Sequence, residues 1–162
     1  MTVTGTSSLG LALEGGGAKG AYHMGVVKAY LEQGYTFGAI AGTSIGALNG
    51  AAIAQGNFEA GYRMWEEMDP LSIFDLDESE YQRLTQQKMD RKTLRQMAAT
   101  MKKLIVSRGM DTSKIRNLIL KVIDEQRLRN SPIEFGLVTV SITDRSPLEL
   151  YKEDIPQGKM ID

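Results

Sequence analysis

Leu9-Gly10-Leu11-Ala12-Leu13-Glu14-Gly15-Gly16-Gly17-Ala18-Lys19-Gly20 is an apolar run that breaks into glycine and then changes its period. Leu9 to Leu13 predicts a short buried strand, and the glycine run predicts a tight turn. From Gly20 to Gln33 the spacing turns helical. Met24, Val27 and Leu31 recur at i, i+3 and i+7, and Gly34 is the expected stop. A second strand is expected over Phe37 to Ala41, closing at Gly42-Thr43-Ser44. A helix from Ile45 to Gln55 follows at once. It is rich in Ala and Gly and apolar nearly all round, which predicts burial against a sheet. Strand, helix, strand, helix with short connections predicts an α/β fold with a parallel sheet and right-handed crossovers.

Further along, Phe58 to Met68 predicts a helix stopped by Asp69-Pro70, and Ser79 to Asn130 reads as wholly helical. Asp90 is a candidate cap for a helix running to Arg108, with Gly109 behind it. Asp111, Thr112 or Ser113 caps another, whose apolar stripe is Ile115, Leu118, Ile119, Val122 and Ile123. Pro132 ends the helical part. Phe135 to Thr143 alternates and is β-branched, Asp144-Arg145-Ser146-Pro147 is a turn, and Leu148 to Lys152 is a return strand. The expected organisation is one domain over residues 1–162, with a helical, insert-like region at 57–132.

Composition narrows the chemistry. The length of 162 residues fits one domain, and 42% hydrophobic with 24% charged residues fits a globular one. The absence of Cys excludes disulfides, thiolate catalysis and Cys-ligated metals. A single His, His23, excludes multi-His metal sites and obliges any Ser-His-Asp triad in these residues to use that imidazole. No metal or organic cofactor is expected. Met1 to Ser8 carries no basic residue, and no apolar run approaches the roughly 18 residues of a membrane span. Both predict a cytoplasmic address. Fourteen of the 17 glycines lie at or before Gly61, where tight turns and close backbone approach are therefore expected. The net charge of −1 conceals an asymmetry. Residues 80–130 hold 13 basic and 5 acidic side chains, the rest 6 basic and 15 acidic.

Gly42-Thr43-Ser44-Ile45-Gly46 matches G-x-S-x-G where a strand meets a helix, the setting in which a serine hydroxyl is presented as a nucleophile on a strained turn. Gly42 and Gly46 leave room for close backbone packing. The Ile45 N–H and the helix start favour a developing oxyanion. The alternative is a capping serine in a tight turn. Gly15, Gly16 and Gly17 join strand to helix one unit upstream, and their N–H groups are candidates for an oxyanion hole. Lys19 and Gly20 would lie near an anionic head group or phosphate. The same residues also fit the dinucleotide fingerprint G-x-G-x-x-G. That pattern expects an acid at the end of the second strand, where Gly42-Thr43-Ser44 stands instead. The P-loop pattern fails because Ala21 follows Gly20 where Lys is required.

Gly15-Gly16-Gly17-Ala18-Lys19-Gly20 paired with Gly42-Thr43-Ser44-Ile45-Gly46 resembles the patatin-like phospholipase family, over Leu9 to Gly56 and more loosely over Glu134 to Asp162. The resemblance implies an α/β parallel-sheet sandwich with helices on both faces. It implies a lipid acyl hydrolase acting on a lipid or phospholipid, with Ser44 as nucleophile and the Gly15–Gly17 run as oxyanion hole. It also implies a Ser–Asp dyad whose Asp lies in a D-G-[GA] motif. No Asp here is followed by Gly. The expectation is a domain cut before that Asp, so that the 162 residues alone turn over little ester. The alternatives are an inactive lipid-binding module and, further off, a nucleotide-binding protein. His23, near the glycine run, could stand in as a base, but it is expected to be a packing or capping histidine, since the resemblance supplies no base there.

Residues 91–108 carry six basic and no acidic side chains, with Leu94, Met97, Ala98, Met101, Leu104 and Ile105 on one stripe. A basic amphipathic helix of this kind can lie on an anionic membrane surface. It can equally pair with the seven carboxylates between Glu66 and Glu80. Nucleic acid is not an expected partner, since Tyr81 is the only aromatic of the basic stretch and the pI is 5.9.

Overall fold

A computed structural model describes residues 8–68, 113–141 and 143–161. The chain divides into two compact units, Met1–Glu67 with Leu118–Asp162, and Met68–Asn117. The described site lies in the first unit. The expected helix at 91–108, and the Asp90, Asp111 and Thr112 caps, lie outside the described residues.

The elements in order are β1 (Ser8–Leu13), α1 (Lys19–Glu32), β2 (Thr36–Thr43), α2 (Ile45–Ala54), α3 (Phe58–Glu67), α4 (Ser113–Val122), α5 (Glu125–Asn130), β3 (Glu134–Ser141) and β4 (Ser146–Tyr151). They form a mixed α/β fold around a four-stranded sheet in the order β1-β2-β3-β4. The first three strands run parallel, as the β1-α1-β2 pattern predicts, and β4 returns antiparallel on β3. Leu11 pairs with Ile40, Leu13 with Gly42, and Ile40 with Phe135, so these residues share one face of the sheet.

That face receives α2. A side chain at Gly50 would touch Ile40, Phe135 and Leu13, so the α2 backbone lies directly on the core of the sheet. Leu13, Ile40 and Phe135 are buried together, each burial stabilising by about 1.5–3 kcal/mol. The uniformly apolar sequence of α2 is thereby explained: Gly46, Asn49, Gly50 and Ala51 to Ala54 are all buried. α1 and α3 enclose α2 further, with Gly61 of α3 packed between Ala52 and Met24. The opposite face of the sheet carries Ala39, Ala41, Val138 and Val140, all exposed.

The closest approach in the fold is backbone on backbone. A Cβ on Gly46 would fall inside contact distance of the Leu13 carbonyl and 2.6 Å from Glu14 O. A Cβ on Gly42 would lie 2.6 Å from Ala47 N. The first turn of α2 therefore rests on the ends of β1 and β2, and glycine is required at both positions.

β3 ends at Ser141 rather than Thr143 and β4 starts at Ser146, inside the expected turn; two further boundaries differ for physical reasons that the bonding shows. The helix expected to run unbroken to Asn130 stops at Val122 and restarts at Glu125. Gln55 takes the chain out of the helical ladder there: its Nε2 donates to Val122 O at 2.6 Å and its Oε1 accepts from Asp124 N at 2.8 Å. Asp124 then caps α5, accepting from Arg127 N at 3.0 Å. β2 extends to Thr43 because pairing with β3 continues to Val138 and the Thr43 hydroxyl donates to Val138 O at 3.0 Å.

Beyond β4 the chain is fastened by a cluster of charges. Arg129 donates to the carbonyls of Lys152, Ile155 and Pro156 at 2.7–2.9 Å. Glu125 accepts from Arg129 Nε at 2.8 Å and from Gly158 N at 2.7 Å. The buried Lys152 ammonium donates to Ser131 O and Ile133 O, which compensate the burial of its charge.

Gly46→Ala is expected to lower unfolding stability by roughly 1–3 kcal/mol or more in urea melts, because only backbone faces the new methyl. An unchanged midpoint would contradict the contact. The amide of Gly158, and next the Arg129 side chain, hold the Glu125 carboxyl below its ordinary value of 4.5. A lowered carboxyl gives stability that is complete above the ordinary value and is lost as pH falls through the lowered one. Protease resistance at Ile155 to Lys159 is therefore expected to stay constant from about pH 7 to 5 and to fall below about pH 4. Glu125→Gln should remove that acid step.

Candidate active site

Ser44 stands between the last residue of β2 and the first of α2. Its φ of 53° and ψ of −127° lie where side chains are rarely found. Thr43 is held in the sheet and α2 starts at Ile45, so a single residue must turn the chain. A strained, non-glycine turn at that point is the geometry that exposes a serine hydroxyl. Ser44 is exposed, and its side chain makes no capping bond. Its carbonyl does the work of starting α2, accepting from Ala47 N at 2.9 Å and Leu48 N at 3.3 Å. The capping alternative for this serine is therefore not what the geometry shows. Ile45 supplies the first N–H of a ten-residue helix, where the helix dipole is positive.

The glycine run comes to the same place. A Cβ on Gly15 would sit 3.3 Å from Ser44 Cβ and 3.5 Å from Thr43 O. Gly16 and Gly17 have φ of 140° and 57°, conformations open to glycine. The run then winds into α1 through bonds from Lys19 N to Gly16 O, at 3.3 Å, and from Gly20 N to Gly17 O, at 2.9 Å. The two motifs that the sequence sets 22 residues apart from Gly20 to Gly42 are thus adjacent in space.

Lys19 is placed differently from a free cation awaiting a head group. Its ammonium pairs with Glu14 at 2.8 Å, and its stem covers Gly16. Lys19 in turn holds the Glu14 carboxyl below its ordinary value, by hydrogen bond first and by charge second. Both side chains are well exposed, so the pair adds little to stability. Gly20 lies in the first turn of α1 with no room for a side chain: a Cβ there would lie 2.7 Å from Ile45 Cγ1 and 2.8 Å from Trp65 Cη2.

His23 is buried on α1, one turn after Lys19, and its Nδ1 has no hydrogen-bond partner. Among the described residues, no hydrogen bond joins it to Ser44. No three Asp, Glu or His side chains among the described residues converge as metal ligands. No described helix is long and apolar enough to cross a membrane.

Two residues with no motif to mark them also belong to the site. Asn49 is fully buried and donates from Nδ2 to Gly20 O at 2.9 Å, while Trp65 Nε1 donates to Asn49 Oδ1 at 2.9 Å. The sequence signal was present in part. A lone amide in a helix otherwise made of Ile, Gly, Ala and Leu must find a buried partner.

The patatin-like phospholipase family model matches residues 11–162. A lysophospholipase of Aspergillus terreus is 54% identical over 48 residues, which are 30% of this chain and 3% of that protein. A patatin-like phospholipase domain-containing protein of Caenorhabditis elegans is 47% identical over 49 residues, 30% of this chain and 4% of that protein. A neuropathy target esterase of Drosophila persimilis is 53% identical over 45 residues, 28% of this chain and 3% of that protein. These matches thus take in only 3–4% of each relative's length. In structure, VipD of Legionella pneumophila superposes with a TM-score of 0.55 at 16% identity, over 95% of this chain and 41% of that one, which shows a shared fold. With the strained Ser44, the glycine run beside it and a family match over nearly the whole length, the chain belongs to the patatin-like phospholipase family.

Proposed function

We propose that this chain carries the nucleophile and oxyanion site of a lipid acyl ester hydrolase. The observation that supports this best is Ser44 at positive φ with Gly15 packed against it. In the proposed reaction Ser44 Oγ attacks the ester carbonyl carbon while a carboxylate takes its proton. The carbonyl oxygen becomes an oxyanion facing the N–H groups of Gly15, Gly16, Gly17 and Ile45. Collapse breaks the ester bond, and the alcohol leaves with the proton. Water then hydrolyses the acyl-enzyme, releasing a fatty acid and restoring Ser44. Apart from that water, every step uses protein groups, so no cofactor is part of the proposal. The substrate is a lipid or phospholipid, by family membership and by the names of the relatives.

The proton acceptor is the Asp of the family's D-G-[GA] motif. Residues 1–162 contain no Asp followed by Gly. These residues by themselves are therefore expected to hydrolyse a p-nitrophenyl acyl ester slowly or not at all. In a protein that also carries the motif, Ser44→Ala is expected to abolish hydrolysis. Turnover that survives Ser44→Ala would overturn the nucleophile. The same missing motif favours one second reading, a lipid-binding module without turnover. It predicts lipid binding and no hydrolysis even when the motif is supplied.

The basic, amphipathic pattern of residues 91–108 supports a peripheral contact with membranes, made from the cytoplasmic side. Sedimentation with liposomes is expected to rise with the fraction of anionic lipid and to fall with salt. Binding that ignores lipid charge would contradict this contact.

A further inference from the structure

The glycine run must stay in register with Ser44 although no side chain of Gly15, Gly16 or Gly17 can hold it there. Its two ends are fixed by one face of α2. At the start of the run, Gly46 lies against the carbonyls of Leu13 and Glu14. At the end, three residues further along α2, Asn49 Nδ2 donates to Gly20 O at 2.9 Å. Residues three apart on a helix are neighbours on its surface. The helix that begins at the nucleophile therefore grips the run at both ends.

The chemistry at the second grip admits few side chains. Trp65 Nε1–H can only donate, and Gly20 O can only accept. Asn offers Oδ1 to the first and Nδ2 to the second, and its orientation is fixed by that pair. Asp would turn an acceptor toward Gly20 O. Ala would leave Trp65 N–H and Gly20 O both without this partner, at a position where the Asn49 side chain is fully buried. Trp65 also packs against Gly20 itself, so the indole braces both members of the bond.

We propose that Asn49 is a positioning residue, which holds the Gly15–Gly17 run at the distance from Ser44 that oxyanion binding requires, with Trp65 as its brace. This rests on Ser44 being the nucleophile. Amide hydrogen exchange on the full chain tests the tether, at a temperature where each variant is folded. In Asn49→Ala the amides of Lys19, Gly20 and Ala21, which bond back to Gly16 O, Gly17 O and Ala18 O, are expected to exchange about tenfold faster or more, with those of Thr36 to Thr43 unchanged. Trp65→Phe, which keeps the aromatic packing, is expected to move the same amides less, and it carries the test should Asn49→Ala not fold. In parallel, in a protein that also carries the D-G-[GA] motif, phosphonylation of Ser44 by a long-chain fluorophosphonate is expected to slow about tenfold in Asn49→Ala and less in Trp65→Phe. No change in exchange, or an increase spread over the whole unit, would overturn the tether. A loosened run with an unchanged Ser44 rate would overturn the positioning role. A wild-type Ser44 that takes no phosphonate even with that motif present overturns the nucleophile instead, and shows in the control before any variant is compared.

Discussion

The rest of the site depends on α2 lying on the strand ends with backbone against backbone. Gly42 and Gly46 permit it, and no other residue type fits at either position. Once the helix lies that close, one residue is left to reverse the chain between Thr43 and Ile45, and Ser44 takes the positive φ. The same contact brings Gly46 against the carbonyls of Leu13 and Glu14, which places the following glycines beside Ser44. A side chain at Gly46 would lift the helix, relax the turn and separate the two motifs together.

A strained turn costs about 1–3 kcal/mol and persists only where its surroundings fix it from several sides. Here the far end of α2 is held as firmly as the near end. Gln55 bonds to Val122 O and Asp124 N, and Ser131 Oγ donates to Ala54 O. Leu13, Ile40 and Phe135 hold the middle of the helix by burial. The helix is not free to slide, so the cost of the Ser44 conformation stays at Ser44. Burial of this kind without net charge also explains why a helix of low polarity carries one amide, Asn49, with both of its polar atoms satisfied.

The parallel strands, the helices between them and the burial of α2 were legible in the sequence because apolar period and glycine placement are local signals. The tight turn at Ser44 was legible for the same reason, since G-x-S-x-G at a strand end has a local geometric meaning. What was not legible is set by long-range bonds. The break at Ile123 and Asp124 follows from Gln55, 69 residues before Asp124, which no periodicity reports. The pairing of Lys19 with Glu14 depends on how the run between them folds back, and positive φ at Gly16 and Gly17 is not written in the residue spacing. Asn49 and Trp65 stand 16 positions apart with no motif joining them. Only the packing of α3 on α1 and α2 makes them neighbours.

The central claim is that Ser44 and the glycine run form one acyl-transfer site. A crystal structure of the chain with a phosphonate bound covalently to Ser44 tests it most directly. The account predicts the phosphoryl oxygen within hydrogen-bond distance of backbone N–H groups from the Gly15–Gly17 run and Ile45. A phosphoryl oxygen turned to solvent, or an adduct formed on another residue, would contradict it.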